Sequence, residues 1–214
     1  MATSETLDFK KAMKAANEIL AVSKEIKSFP FSPIDLVSEQ SSLVCRSYQK
    51  ASKYGVNLTD FGSESAGIFK YHDKGIIFYD GTKPAPHIAF SILHEFGHHQ
   101  LQHDFGRKDA ETYHRYEVEA NFFAAQLLMP EQLIRDFARK GLKITRSFLQ
   151  STFGVSAQAA DKRLITLAKT NPERQSPEEL EVNKVILSHY ADFLDMICNL
   201  YRPDFEKEYI YYCQ

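Results

Sequence analysis

The feature that most constrains this chain is a short run inside an apolar stretch, His94-Glu95-Phe96-Gly97-His98. Apolar residues precede the run at helical spacing, and two prolines just before them suit a first helical turn, so we expect a buried helix. On a helix, His94 and His98 lie one above the other on the same face. Both imidazoles can then bind one zinc ion, while Glu95 serves as general base for a water molecule. The pattern predicts the site of a zinc peptidase.

A purely structural interpretation of the histidine pair is the alternative, in which two core histidines are satisfied by hydrogen bonds. Buried imidazoles and a carboxylate need partners, because unpaired polar groups are costly inside a protein, and a metal ion supplies them. Gly97 favours the metal site. A glycine inside a helix costs about 1 kcal/mol relative to alanine and is usually accepted where another backbone passes close by. We expect that neighbour to be a strand flanking a substrate cleft.

A catalytic zinc takes three protein ligands and leaves one position open, so a third ligand is needed. The arrangement His-Glu-x-x-His-x-x-Gly-x-x-His would require glycine at 101 and histidine at 104. This chain has Leu101 and Asp104 at those positions. His103 misses the ligand position by one residue, and without the glycine there is no evident turn to bring it back to the metal.

The segment 116–130 offers a second source, since it has the pattern of a mostly apolar helix that stops before a proline. Glu117 and Asn121 share a helix face, so the first can bind the metal and the second can orient a metal-bound histidine. Glu119 points about 200° around the helix from Glu117 and cannot serve the same site. Glu117 is preferred because Asn121 then has a role. Otherwise both glutamates are solvated carboxylates of a first helical turn.

Together the two segments resemble a known family. The run from His94 to His98, followed by Glu117-x-x-Ala-Asn121-x-Phe-Ala-Ala-x-Leu-Leu-Met-Pro130, is similar to the ImmA/IrrE metallopeptidases. The resemblance implies a zincin-like fold in which His94, His98 and Glu117 bind zinc and Glu95 is the general base. Members of the family occur in bacteria and mobile elements, and several act on helix-turn-helix repressors. The resemblance covers roughly residues 30–170. It has Phe96 in place of the usual leucine, and the spacer 100–115 has no match.

The expected fold class is α+β. We expect a zincin-like metallopeptidase domain, with a small antiparallel sheet and metal-binding helices, followed by a helical, helix-turn-helix-like C-terminal part. Two helices come first, from about Leu7 to Lys27 and from Pro33 toward Tyr54. Short β-rich pieces follow at 56–59, 67–71 and 75–79, the last two joined by a hairpin at 72–75. The predicted domains are 1–141 (metallopeptidase), 142–170 (helix-turn-helix-like) and 175–214 (helical extension).

The C-terminal part begins with the outline of a helix-turn-helix at 147–164, with a glycine in the turn and a serine cap. Base-reading candidates on its second helix are Gln158, Lys162 and Arg163, but the alanines beside them weaken that interpretation. A helical subdomain is therefore favoured over DNA binding. Residues 171–175 are expected to be a linker before a capping box at Ser176. Three tyrosines near the end are candidates for partner binding: Tyr209, Tyr211 and Tyr212.

Composition narrows the class of partner and the compartment. The formal net charge is −2 and the pI about 6.4, so no global positive field calls for nucleic acid. The 3 cysteines are isolated and odd in number, which favours a reducing compartment over a disulfide framework. The sequence shows neither a secretory signal nor an apolar run of about 18 residues. We expect a cytoplasmic protein without membrane partners.

These observations predict a zinc-dependent endopeptidase of the bacterial or phage cytoplasm, which cleaves a regulatory protein such as a helix-turn-helix repressor. One alternative is a non-proteolytic zinc-containing transcriptional regulator or repressor-binding protein. Another is a toxin or defence component with a different target. The residue that stabilises the oxyanion is left open among eight candidates: Tyr71, His72, His87, His99, His103, Tyr113, His114 and Tyr116.

Overall fold

The computed structural model describes residues 9–201, apart from positions 63, 73, 105, 107, 108 and 170–174. Helices predominate in this part of the chain, and the one small sheet found there precedes most of them, so the expected α+β fold class is confirmed. The elements in chain order are α1 (Phe9–Val22), α2 (Pro33–Gln40), β1 (Val44–Ser47), the 3-10 helices Tyr48–Tyr54 and Leu58–Phe61, β2 (Ala66–Tyr71), β3 (Lys74–Tyr79), α3 (Ala85–Gln100), α4 (Ala110–Leu128), α5 (Glu131–Arg139), α6 (Arg146–Phe153), α7 (Ala157–Lys169), α8 (Pro177–His189) and α9 (Ala191–Tyr201).

The sheet has three strands in the order β1-β3-β2. The strands β2 and β3 form the expected antiparallel hairpin, in which Tyr71 pairs with Lys74. The strand β1 runs parallel to β3, with Val44 opposite Ile76. The sheet is therefore mixed, whereas the sequence predicted an antiparallel one, and β1 and β2 are its two edges.

The predicted strand at 56–59 and the predicted helix from Pro33 to Tyr54 are both wrong. The first segment leads into the second 3-10 helix, and α2 ends at Gln40. The Ser41 hydroxyl explains this end, because it donates to the carbonyl of Val37 and accepts from the backbone N–H of Leu43. Such local side-chain bonds compete with the helical ladder. The released chain becomes β1, which periodicity alone did not separate from the helix.

The helices α3 and α4 pack closely, and Gly97 marks the point of nearest approach. A Cβ at this position would lie 3.0 Å from Phe123 Cδ1 and 3.3 Å from the Cα of Ala120. The expectation of a nearby backbone is thus met by a helix, and the expectation of a strand is wrong. On the buried side of α3, Ile92 and Phe96 are fully enclosed and fix the rotation of the helix about its axis.

The helix α1 covers α4 and joins the same core. One large buried cluster contains residues of most helices, from Ala12 in α1 to Cys198 in α9. Both Cys45 and Cys198 are free thiols inside it. The Lys11 ammonium donates to the carbonyl of Leu101, just past the end of α3, at 2.6 Å. None of the described helices combines the length and apolar character needed to span a bilayer. The domain boundaries proposed from the sequence stay predictions.

The helix-turn-helix outline is present, since α6 ends at Gly154 with φ 66° and Ser156 caps α7. Its Arg163, one of the three base-reading candidates, is nevertheless buried and does not face solvent. The Arg163 guanidinium donates to the carbonyl of Met129 at 3.0 Å and to Gln126 Oε1. Burial lowers its pKa to about 10, and the side chain pins α7 against the junction of α4 and α5.

Farther along, the capping box at Ser176 and Glu179 opens α8 as predicted. The predicted linker lies almost wholly outside the described residues, and so do the three C-terminal tyrosines.

Replacing Gly97 with alanine should lower the free energy of unfolding by about 1 kcal/mol, and valine should lower it further. Overpacking against a backbone costs roughly 1–3 kcal/mol. The better helix propensity of alanine returns only about 1 kcal/mol. Urea unfolding of the metal-free protein measures the change. Gly81→Ala is the matched control, because its Cβ would meet Ser47 Cβ at an ordinary 3.6 Å. Equal stability of the two alanine variants would contradict the close helix approach.

Candidate metal centre

Three side chains from α3 and α4 converge on one point. The Nε2 atoms of His94 and His98 lie 2.9 Å apart. The carboxylate of Glu117 faces both rings, with Oε2 at 3.3 Å from His94 Nε2 and Oε1 at 3.3 Å from His98 Nε2. The structure thus brings together the three residues that the sequence proposed as ligands, with donor atoms all within 4.8 Å of one another.

The spacing and chemistry of these donors fit a tetrahedral metal ion. Ligands bound at about 2.0–2.1 Å in a tetrahedron are separated by roughly 3.3 Å, close to the distances found here. Two imidazole nitrogens and one carboxylate oxygen form the donor set of catalytic zinc sites, where a fourth position stays open. The side chains of His94, His98 and Glu117 are 15%, 5% and 31% exposed, so the group is enclosed on the α3 side and reachable on the Glu117 side.

The electrostatics of the cluster follow from its burial and its hydrogen bonds. Hydrogen bonds from His94 and His98 hold the pKa of Glu117 below its ordinary value. Burial disfavours the charged form of His94, but its bond to Glu117 and the negative charge of Glu95 outweigh burial and raise the pKa of His94. Burial also raises the pKa of Glu95. The cluster therefore holds a carboxylate that favours its charged form, Glu117, directly facing the two imidazoles.

The sequence proposed Asn121 as a residue that orients one of the metal-bound histidines, and the structure places it beside His94. Asn121 Oδ1 is 3.0 Å from His94 Nδ1. Since an amide oxygen only accepts, this contact puts the proton of a neutral His94 on Nδ1 and leaves the Nε2 lone pair facing Glu117. Asn121 therefore selects the tautomer that a metal requires.

His103 and Glu119 lie behind His98, in a role that the sequence did not predict for either of them. His103 Nδ1 lies 2.8 Å from His98 Nδ1, and His103 Nε2 lies 3.1 Å from Glu119 Oε2. The helical rotation from Glu117 predicts that Glu119 does not serve the metal, and the alternative interpretation makes both glutamates solvated first-turn residues. Glu119 is instead 5% exposed and in the third turn of α4. The sequence signal that could have indicated this arrangement is His103, which follows His98 by 5 residues.

The candidates for oxyanion stabilisation fall in different places. His103 and Tyr116 stack on each other behind His98, and His87 is bound to Ser65 Oγ at 2.8 Å. Tyr71 and His72 lie at the hairpin turn, and His99 and His114 are exposed. Tyr113, one turn before Glu117, hydrogen-bonds that carboxylate, whose negative charge raises the pKa of Tyr113. Its hydroxyl is thus protonated and beside the metal centre.

Comparison with known proteins adds an independent finding. The sequence model of the IrrE N-terminal-like domain, Peptidase_M78, matches residues 51–165, more than half of the chain. The matched segment contains α3 and α4 whole, and therefore every residue of the metal centre. No curated protein matches the chain. The match supports a metallopeptidase-type function. The chain belongs to the ImmA/IrrE family, as the resemblance of its two motifs implied.

Proposed function

We propose that this protein is a zinc-dependent endopeptidase of the bacterial or phage cytoplasm. The observation that carries the proposal is the convergence of His94, His98 and Glu117 within 4.8 Å, with Glu95 adjacent on α3. Enclosed imidazoles and carboxylates at this spacing are costly without a cation. The family assignment also supports a metallopeptidase-type function.

Zinc bound to these three side chains would polarise both a water molecule and the carbonyl of a peptide bond. Glu95 then has the role of general base, taking a proton from the attacking water and passing it to the leaving amine. Burial raises the pKa of Glu95, which makes its carboxylate a stronger base than an exposed glutamate. Tyr113 supports the reaction if its hydroxyl, which hydrogen-bonds Glu117 in the structure, turns to donate to the oxyanion instead.

An extended peptide can reach this centre along β2. This strand is an edge of the sheet, and Ser65, immediately before it, is bound to His87 in the first turn of α3. The edge thus starts beside the helix that bears both histidines. Edge strands hold extended peptides through main-chain hydrogen bonds, which suits an enzyme that cuts within a chain.

A helix-turn-helix repressor is the substrate we favour, because several members of this family act on such proteins. The DNA-binding alternative has less support, since Arg163 is buried and only Gln158 and Lys162 of the three candidates are exposed on α7. With a formal net charge of −2, the chain also lacks the global positive field typical of proteins that bind nucleic acid.

The protein should bind one zinc ion with an affinity that falls as the pH is lowered. Protons compete with the metal for the histidines. Because the pKa of His94 is raised above its ordinary value of 6.5, the zinc affinity should begin to fall at a pH above that value. Competition with a chromophoric chelator between pH 5 and 8 measures this. In Glu95→Gln the zinc affinity should begin to fall at a lower pH, because the charge of Glu95 no longer raises the pKa of His94. A pH-independent affinity would exclude the histidines as ligands.

Glu95→Gln should keep the bound zinc yet lose proteolysis, by roughly 10²–10⁴-fold or more, because the general base is absent. Zinc content by elemental analysis and cleavage of the substrate are measured on the same preparation. His94→Ala is the comparison variant, which should lose both zinc and activity. Cleavage at the wild-type rate by Glu95→Gln would refute the proposed role.

Incubation with the helix-turn-helix repressor encoded nearest to the gene should give cleavage at one or a few sites, mapped by mass spectrometry. The Glu95→Gln protein is the negative control. A specific substrate should be cut while an unfolded general substrate such as casein is not, because binding along an edge strand selects a sequence. Cleavage of casein alone would argue against a regulatory target.

A further inference from the structure

Both nitrogens of the His98 ring are engaged, on opposite sides. The Nε2 atom faces the metal centre, while Nδ1 points away from it and lies 2.8 Å from His103 Nδ1. The chain of contacts continues from His103 Nε2 to Glu119 Oε2 at 3.1 Å. Two imidazoles and a carboxylate thus form one line that ends at the proposed metal.

A specific turn brings His103 back over the end of its own helix. The backbone N–H of His103 donates to the carbonyl of His98 at 3.0 Å, and that of Gln102 donates to the carbonyl of His99 at 3.1 Å. These are the two bonds of a Schellman motif, which usually has glycine at its left-handed position. Here Gln102 adopts φ 56° without being glycine. The backbone accepts an unfavourable conformation that puts the His103 ring beside His98.

The environment of this line is closed and polar. The side chains of His103 and Glu119 are 1% and 6% exposed. The Tyr116 ring stacks on His103 with centroids 4.1 Å apart and planes 8° from parallel. Arg115 Nε lies 4.0 Å from the second oxygen of Glu119, so the buried carboxylate has a compensating charge. The geometry leaves the His103 ring little freedom to rotate.

Proton positions along the line have one consistent solution when a metal is bound. A metal needs the Nε2 lone pair of His98, so the proton of that ring is on Nδ1 and is donated to His103. His103 Nδ1 must then accept, which puts its own proton on Nε2, facing the carboxylate of Glu119. Every N–H donor in the line then meets an acceptor. The metal at His98 and the carboxylate of Glu119 together fix the direction in which each N–H donates.

We propose that His103 and Glu119 are positioning residues, which hold His98 in the tautomer and orientation that bind the metal. The proposal rests on the metal centre proposed above and goes beyond it by assigning a second, longer support. His94 has a neutral amide as its partner, whereas His98 has an imidazole backed by a carboxylate. A carboxylate at the end of such a line makes the bound imidazole a stronger donor than an amide does.

The test is zinc affinity, measured by chelator competition on the full-length protein. His103→Phe keeps a ring to stack on Tyr116 but removes both hydrogen bonds, and it should weaken zinc binding 10–100-fold. Glu119→Gln, which retains an accepting oxygen without the charge, should weaken it less. The visible spectrum of the cobalt-substituted protein should change in His103→Phe, because the His98 ligand is reoriented. Should His103→Phe fail to fold, the zinc affinity and the cobalt spectrum of Glu119→Gln carry the test.

Gln126→Leu is the matched control, since Gln126 is also a buried polar residue of α4 but bonds Asn17, Gln132 and Arg163, away from the metal. It should destabilise the fold without changing zinc affinity. Wild-type affinity in His103→Phe and Glu119→Gln, alongside lost affinity in His94→Ala, would overturn this proposal alone. A His94→Ala protein that binds zinc like the wild type would overturn the metal centre itself. An equal loss in Gln126→Leu would reduce the effect to general destabilisation and also overturn the proposal.

Discussion

The contact on which the rest of the structure depends is the close approach of α3 and α4 at Gly97. The histidines and their carboxylate ligand come from different helices, so their distance is set by how closely the two backbones pack. With 3.3 Å between an added Cβ and the backbone of Ala120, even alanine would require α4 to move by a few tenths of an ångström, and a larger residue would require more. Such a displacement moves Glu117 relative to His94 and His98, whereas the ligand distances of a zinc site are fixed near about 2 Å. A glycine that looks unfavourable for the helix is therefore what permits the site.

Helical periodicity predicts which residues share a helix face, because that property depends only on the local sequence. The 3.6-residue repeat placed His94 and His98 on one face, and Glu117 and Asn121 on another, and the structure brings those faces together. Two of the features that local patterns did not predict depend on contacts between distant segments. The pairing of β1 with β3 and the burial of Arg163 are both set by neighbours far along the chain, which no local pattern records.

His103 shows the same limit within a single turn. The three-histidine motif makes this turn with glycine, so the sequence, which has no glycine there, predicts no turn that brings His103 back toward the metal. The chain makes the turn with Gln102 in the left-handed conformation, which the surrounding packing must impose since glutamine does not favour it. Sequence rules describe what residues prefer, and a functional site is where preference is most often overridden.

The position of Arg163 bears on what the helix-turn-helix-like segment does. Its guanidinium bonds Gln126 of α4 and the carbonyl of Met129 at the end of that helix, so α7 is anchored to the element that carries Glu117 and Asn121. A helix that recognises DNA bases would instead need its cationic side chains exposed to solvent. The family match ends at residue 165, within α7, so most of this segment lies in the same matched region as α3 and α4. The simplest account is that α6 and α7 support α4 from behind, and that any partner they meet is met through the exposed face that Gln158 and Lys162 share.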